Sequence, residues 1–405
     1  MAATGAGLSG FLLALALGWE ADRTVSLFVF LAAVLTIGFL TVTGNPARPT
    51  GRSLPSWGLV LAAWGATAWF LVHAEAHALR WPMVSPLSPG DMIAASLLVA
   101  LVLEATRRTI GLALALLVLL FLAYALFGHR LEGAFAHRPL GVAEILDHLV
   151  FTTNGLVGPA LAVAAFLVYV FVLFGAVLDR SGGGDFFFDL AAALVGRQAG
   201  GPAKVAVVSS ALYGTISGSP TADVVTTGAL TIPMMKRLGY RPAYAGAVEA
   251  AASTGGALLP PVMGSAVFLM SDFTNIPYAE IALSAALAGM LYFVAVFLAV
   301  HARAALDGLG AFDGATMRVG AVLRAGWWHL VPIAALVWLV LSADRPVYGA
   351  GLAVAIAAAI LLVRTRAPVR SALLLLGAAI EAARRAAPVG IACAVAGLVV
   401  GSLTI

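Results

Sequence analysis

Apolar runs long enough to form membrane helices, separated by short polar punctuation, organise this chain. They fall near 5–19, 24–43, 57–73, 91–106, 109–127, 155–178, 243–270, 279–301, 327–342, 347–363 and 386–405. A helix rises 1.5 Å per residue, so about twenty apolar residues cross roughly 30 Å of hydrocarbon. The runs show little period-2 alternation, which argues against an outer-membrane barrel. The predicted fold class is an all-α polytopic integral membrane protein with about eleven spanning helices and one re-entrant helical hairpin.

Composition agrees. The chain has 405 residues, 62% hydrophobic and only 10% charged, with a mean hydropathy of +1.02. A soluble domain of this size needs more charge to cover its surface. The net charge of +4 does not imply nucleic acid, because Lys and Arg cluster at the ends of apolar runs as topology requires. With the N-terminus cytoplasmic and 202–237 entering and leaving on one side, only Arg23, Arg80, Arg130, Arg138 and Arg345 fall outside. The inner set then includes Arg48, Arg52, Arg107, Arg108, Lys204, Lys236 and Arg366. The single Cys393 lies in an apolar run and is expected to pack rather than pair. The first apolar run, Phe11–Leu17, has no basic flank, so a retained helix is expected rather than a signal peptide. Near residue 128, GHRLEGAFAHRPLGVAEILDHL interrupts the spans as a polar, partly amphipathic connection.

The stretch YGTISGSPTADVVTTG, residues 213–228, is polar inside this apolar chain. The arms from Lys204 to Ser217 and from Asp223 to Lys236 each span about 20 Å of helix, which brings the tip near mid-bilayer. Gly214, Gly218 and Pro220 disfavour continuous helix, while Ser219-Pro220 is an N-cap and first-turn pair for the second arm. Irregular backbone at membrane depth must be buried in protein or line a wet cavity. The first arm aims carbonyls at the tip, suited to a hard cation such as Na⁺. The second aims N–H groups, suited to a carboxylate. Ser217, Gly218 and Asp223 are the candidate Na⁺ ligands here, and Ser219, Thr221, Thr226 and Thr227 the candidate substrate hydroxyls. The competing reading is close helix packing through small residues.

A second interruption falls in AVEAAASTGGALLPPVMGSAVF, residues 247–268. Ser253 and Thr254 join the candidate substrate set, and Gly255 and Gly256 the Na⁺ set, ahead of Pro260 and Pro261. Glu249 is expected as a near-interface charge, or as a group pairing with a neighbour or lining the entrance.

Catalysis is not expected. Ser217-Gly218 has the small-residue setting of an intramembrane hydrolase serine, but the seven histidines fall in loops or at segment ends. Asp223 and Glu249 match no membrane aspartyl-protease motif. No GxxxxGK[ST] phosphate loop is present.

LEATRRTIG (103–111), GGPAKVAVVSSALYGTISGS (200–219), VVTTGALTIPMMKRLGY (224–240) and AGAVEAAASTGGALLPPVMGSA (245–266) closely resemble the fused permease of the tripartite ATP-independent periplasmic (TRAP) transporters, the TAXI type in particular. The resemblance implies a four-helix small-subunit-like module at 1–108 and a large-subunit transport region at 109–370. That region would hold the first inverted repeat, with hairpin 202–237 and broken helix 243–270. It further implies a multi-pass protein of the bacterial or archaeal inner membrane. A periplasmic substrate-binding protein would deliver a small organic anion, imported with Na⁺ as the coupling ion and no other cofactor. Where the family hairpin is expected to read Ser-Val-Ala-Asn, this chain has Pro220-Thr221-Ala222-Asp223, an acid for an amide. Residues 371–405, an amphipathic surface helix leading into a final apolar run, are expected to begin a second repeat cut short. A chain lacking the second hairpin would be a non-transporting scaffold or remnant.

Overall fold

The computed structural model describes residues 2–41, 54–133, 136–311, 318–343, 345–365 and 367–405; Arg48, Arg52 and Arg366 of the inner set lie outside the described residues. It is all-helical, 82% helix without strands among the described residues. Nine of these helices are long and apolar enough to cross a membrane. Two predicted spans account for the difference from eleven. The first is a helix of 15 residues, and the second, at 243–270, is broken in two.

The chain divides into two compact units, Met1–Tyr169 with Ala379–Ile405, and Val170–Ala378. The first contains α1 (Ala2–Ala16), α2 (Arg23–Thr41), α3 (Leu54–Val72), α4 (Ala74–Ala78), α5 (Pro89–Thr109), α6 (Leu112–Phe127), α7 (Val142–Leu146) and α8 (Pro159–Ala162). The apolar α2 lies at its centre, with Phe30, Leu31, Val34, Leu35 and Phe39 fully buried and α3 and α5 packed on it. Local chemistry fixes where α5 begins. Ser88 caps it, accepting from Asp91 N, and the Asp91 carboxylate returns to Ser88 N in a capping box, with Pro89 in the first turn. Arg107 and Arg108 occupy its last turn, favourable at the negative end of the helix dipole, and both pair with Glu104.

The polar connection after residue 128 is largely irregular among its described residues, with a short helical turn at Gly128–Arg130. It is held by an ion pair: Arg80 donates two hydrogen bonds of 3.1 Å to Asp147, and Met83 N donates a third at 2.7 Å.

Through a π-helical turn, Val163–Val168, α8 continues into α9 (Tyr169–Arg180). The second unit then holds α10 (Gly183–Val195), α11 (Gly201–Ser217), α12 (Pro220–Thr226), α13 (Gly228–Arg237), α14 (Pro242–Gly256), α15 (Ser265–Thr274), α16 (Tyr278–Leu306), α17 (Val319–Gly326), α18 (Leu330–Ala343) and α19 (Pro346–Thr365). The last helix, α20 (Pro368–Leu403), runs 36 residues without interruption and has Pro388 inside it. This corrects the expectation of a surface helix followed by a separate span. Pro388 removes one intrahelical hydrogen bond, and the helix continues through it.

Candidate functional site

Two interruptions in the second unit face each other. The first follows α11, which ends at Gly218 in the left-handed region at φ 56°. A Cβ there would lie 1.9 Å from Met263 O, so glycine is required both by conformation and by close approach. Ser219 is extended, and its hydroxyl accepts from Ala222 N while Pro220 opens α12. This is the N-cap and first-turn pair read from the sequence. The chain then folds back: α13 packs along α11, and the Thr226 hydroxyl reaches Tyr213 Oη at 3.3 Å.

The second interruption lies between α14 and α15, at 257–264. Its backbone is satisfied by protein, as irregular structure in an apolar layer requires. Val262 N donates to Thr215 O at 3.2 Å and Gly264 N to Ala257 O at 2.9 Å. The Tyr278 hydroxyl donates to Pro261 O at 2.8 Å and Val262 O at 2.9 Å. Tyr278 is itself held in an aromatic stack with Phe268.

Asp223 sits where the two interruptions meet. It is fully buried, and the Ser217 hydroxyl donates to its Oδ1. Ser219 N in turn donates to Ser217 Oγ at 3.2 Å. The other carboxylate oxygen occupies a slot between Gly214 and Gly256, where added Cβ atoms would lie 3.1 and 2.5 Å from it. Four of the five candidate Na⁺ residues, Ser217, Gly218, Asp223 and Gly256, are therefore contiguous. Gly255 faces the other way, against Tyr292 and Phe293. A carboxyl group, a hydroxyl and adjacent irregular backbone form an oxygen-rich group, the donor type a hard cation takes.

The candidate substrate hydroxyls separate into four places, Ser253 lying with Glu249. Ser219 and Thr221 lie at the tip, 3.2 Å apart, with Thr221 exposed. Thr226 and Thr227 line a cavity of about 160 Å³ with Asp179 and Asp185. Thr254 is exposed and donates to Ala250 O at 2.7 Å.

Thr227 and Ser253 also belong to a second cluster that the sequence reading did not assemble. Glu249 is fully buried, which corrects its expected place near the interface. Its Oε1 accepts from Thr227, from Ser210 at 3.3 Å and from Ser253 at 3.3 Å, and its Oε2 accepts from Thr231. Ser210 is on α11, Thr231 on α13 and Glu249 on α14, so one carboxyl ties both arms of the folded-back segment to the broken helix. The clue was available. Thr227 with Thr231, and Glu249 with Ser253, are i, i+4 pairs, each presenting one polar face of a helix.

The class is thus a polytopic α-helical membrane protein in which two interrupted helices meet around buried carboxylates. The chain belongs to the DctM family, the DctM component of the tripartite ATP-independent periplasmic transporter, whose family model matches residues 97–405. The family consists of transporter components, not enzymes. Among similar proteins, the C4-dicarboxylate TRAP transporter large permease protein DctM of Pseudomonas aeruginosa is 27% identical over 45% of this chain and 43% of its own. The sialic acid TRAP transporter large permease protein SiaM of Vibrio cholerae is 30% identical over 32% of this chain and 30% of its own. The 2,3-diketo-L-gulonate TRAP transporter large permease protein YiaN of Escherichia coli is 30% identical over 26% and 25%. The chain spans less than half the length of these curated relatives.

Proposed function

We propose that this protein is the permease component of a secondary transporter of the TAXI type, importing a small organic carboxylate with Na⁺. Residues 1–108 act as the small-subunit-like module and residues 109–370 as the first transport repeat. Segment 202–237 is re-entrant, and the N-terminus is cytoplasmic. The protein resides in the inner membrane, and a periplasmic binding protein delivers the substrate. The observation that carries this reading is the meeting of two interrupted helices at Asp223. Discontinuous helices near mid-bilayer are how secondary transporters expose backbone and side-chain oxygens to a coupling ion. The Ser217–Asp223 pair supplies the cation side of the site. The half-buried Ser219 and exposed Thr221 hydroxyls at the start of the second arm supply the substrate side. The three relatives named for C4-dicarboxylate, sialic acid and 2,3-diketo-L-gulonate support an anionic metabolite as cargo.

The test is cation-dependent stability of the full chain in detergent. Sodium chloride should raise the melting temperature over potassium and choline chloride at equal ionic strength, because a ligand that binds only the folded state stabilises it. Ser217→Ala should remove most of that difference. Asp223→Asn should weaken it and alter its pH profile. Identical melting in all three salts would defeat the reading.

A further inference from the structure

The first unit contains a cavity of about 320 Å³ that the transport reading does not use. It is bounded by the start of α2, the end of α3, the short α4 and the π-helical turn Asp147–Phe151. We propose that it binds a small organic ammonium ion.

Its walls are mainly apolar, with a few polar groups, and its volume lies in the range of small-ligand pockets. Phe28, Phe70 and Phe151 line it. Phe28 stacks on Phe70 with centroids 4.4 Å apart, and Phe151 lies 5.2 Å from Phe70. Aromatic rings attract cations through the negative potential of their faces. Phe151 already has the Arg80 guanidinium carbon 5.2 Å from its centroid.

Charge selects the sign of the ligand. The basic side chains in the wall are already matched, Arg80 by Asp147 and His77 by Asp91 at 2.9 Å. The remaining lining carboxylates are Asp22 and Glu75, both exposed. Asp22 accepts from Val25 N at 2.8 Å as the cap of α2. The cavity therefore combines two lining carboxylates with three aromatic rings, which favours a cation with a short apolar body and disfavours an anion.

Its position suggests where the ammonium group comes from. One candidate span begins at Arg23 and another ends at Val72, so the cavity sits at a membrane boundary. Trp19 and Trp81, 57% and 75% exposed, flank it in sequence, and tryptophan favours the headgroup level. An ethanolamine headgroup and a free amine share the chemistry the cavity recognises.

The experiment has two arms, both on the full chain, comparing wild type with Asp22→Asn/Glu75→Gln. Asparagine preserves the helix cap, and Glu75 is exposed, so the melting temperature without ligand should match wild type. In detergent, calorimetric titration with ethanolammonium chloride should show saturable binding that weakens about tenfold in the double variant, the combined effect expected of two exposed charges. Sodium acetate should not bind there. In nanodiscs of phosphatidylglycerol containing a minor fraction of phosphatidylethanolamine, retained lipid is measured by mass spectrometry. Enrichment of phosphatidylethanolamine that is lost in the double variant identifies the headgroup as the source, whereas calorimetric binding without enrichment identifies a free amine. Absence of both signals, or equal binding by wild type and double variant, overturns the proposal.

Discussion

Replacing Glu249 tests whether its hydroxyl cage holds the broken helix to the folded-back segment. Glu249→Ala removes the acceptor shared by Ser210, Thr227, Thr231 and Ser253. The hydroxyls are not equally stranded. Thr227 Oγ1 also donates to Asp223 O at 2.8 Å, Thr231 Oγ1 to Thr227 O at 3.0 Å, and Ser210 Oγ lies 3.1 Å from Thr227 Oγ1. Ser253 loses most, because Glu249 is its hydrogen-bond partner. Three interhelical side-chain bonds, from Ser210, Thr227 and Thr231, at about 0.6 kcal/mol each, the average found within membranes, set a floor near 2 kcal/mol. Leaving a fully buried cavity adds about 2 kcal/mol more, since large-to-small core changes cost about 2–5 kcal/mol in all. Glu249→Ala should therefore destabilise by about 4 kcal/mol. Glu249→Gln keeps the volume and one acceptor, and the Thr231 hydroxyl can accept from the new amide while donating to Thr227 O, so its cost should stay near 1 kcal/mol. Thermal melting in detergent, with denaturant titration as the check, reads the difference. On a per-residue entropy scale the alanine variant should melt about 5 °C lower. Equal losses for Gln and Ala would show that the carboxyl is not organising the cage. No loss for Ala would show that desolvation of the buried acid cancels its hydrogen bonds.

Gly218→Ala should abolish the folded protein or reduce its yield severely, since it combines a positive φ with a Cβ 1.9 Å from Met263 O; a normal chromatographic profile and melting curve would contradict this. Arg80→Ala, which strands a buried carboxylate, should cost about 3–5 kcal/mol, with Asp147→Asn recovering part of it; unchanged denaturant midpoints for both would refute the role assigned to the pair. His148, in the turn Asp147–Phe151, has its pKa lowered mainly by burial, with Asp147 opposing. The unfolded chain takes up a proton near pH 6.5 while the folded chain resists. Stability should therefore be full above about pH 6.5 and decline as pH falls below it, and His148→Gln should flatten the pH dependence of melting below that point.

What the sequence made legible followed from local rules. Apolar runs located the spans because a bilayer imposes one length scale. Ser219-Pro220 marked a helix start and Gly218 a helix stop because capping depends on residues adjacent in the chain. The parts that escaped depend on which helix faces which. Glu249 has nothing in its own neighbourhood except Ser253 to neutralise the cost of burial, so one helix alone places it near water. It goes to the interior because Ser210, Thr227 and Thr231 arrive from two other helices. The same logic separates Gly255 from Gly256. Adjacent residues on a helix point about 100° apart, so a shared motif cannot give both the same neighbour. One meets Asp223 and the other Tyr292. The Ser/Thr/Gly-rich segments thus hold two distinct kinds of position, residues that let backbones approach and residues that satisfy a buried carboxyl. A substitution series should divide along that line. A Cβ at Gly256 should act through sterics at Asp223, 2.5 Å away, and one at Gly214 first through the Gly256 backbone at 2.3 Å. Hydroxyl deletions at Ser210, Thr231 and Ser253 should be nearly silent in a Glu249→Ala background relative to wild type, because contacting residues that share one partner are not additive.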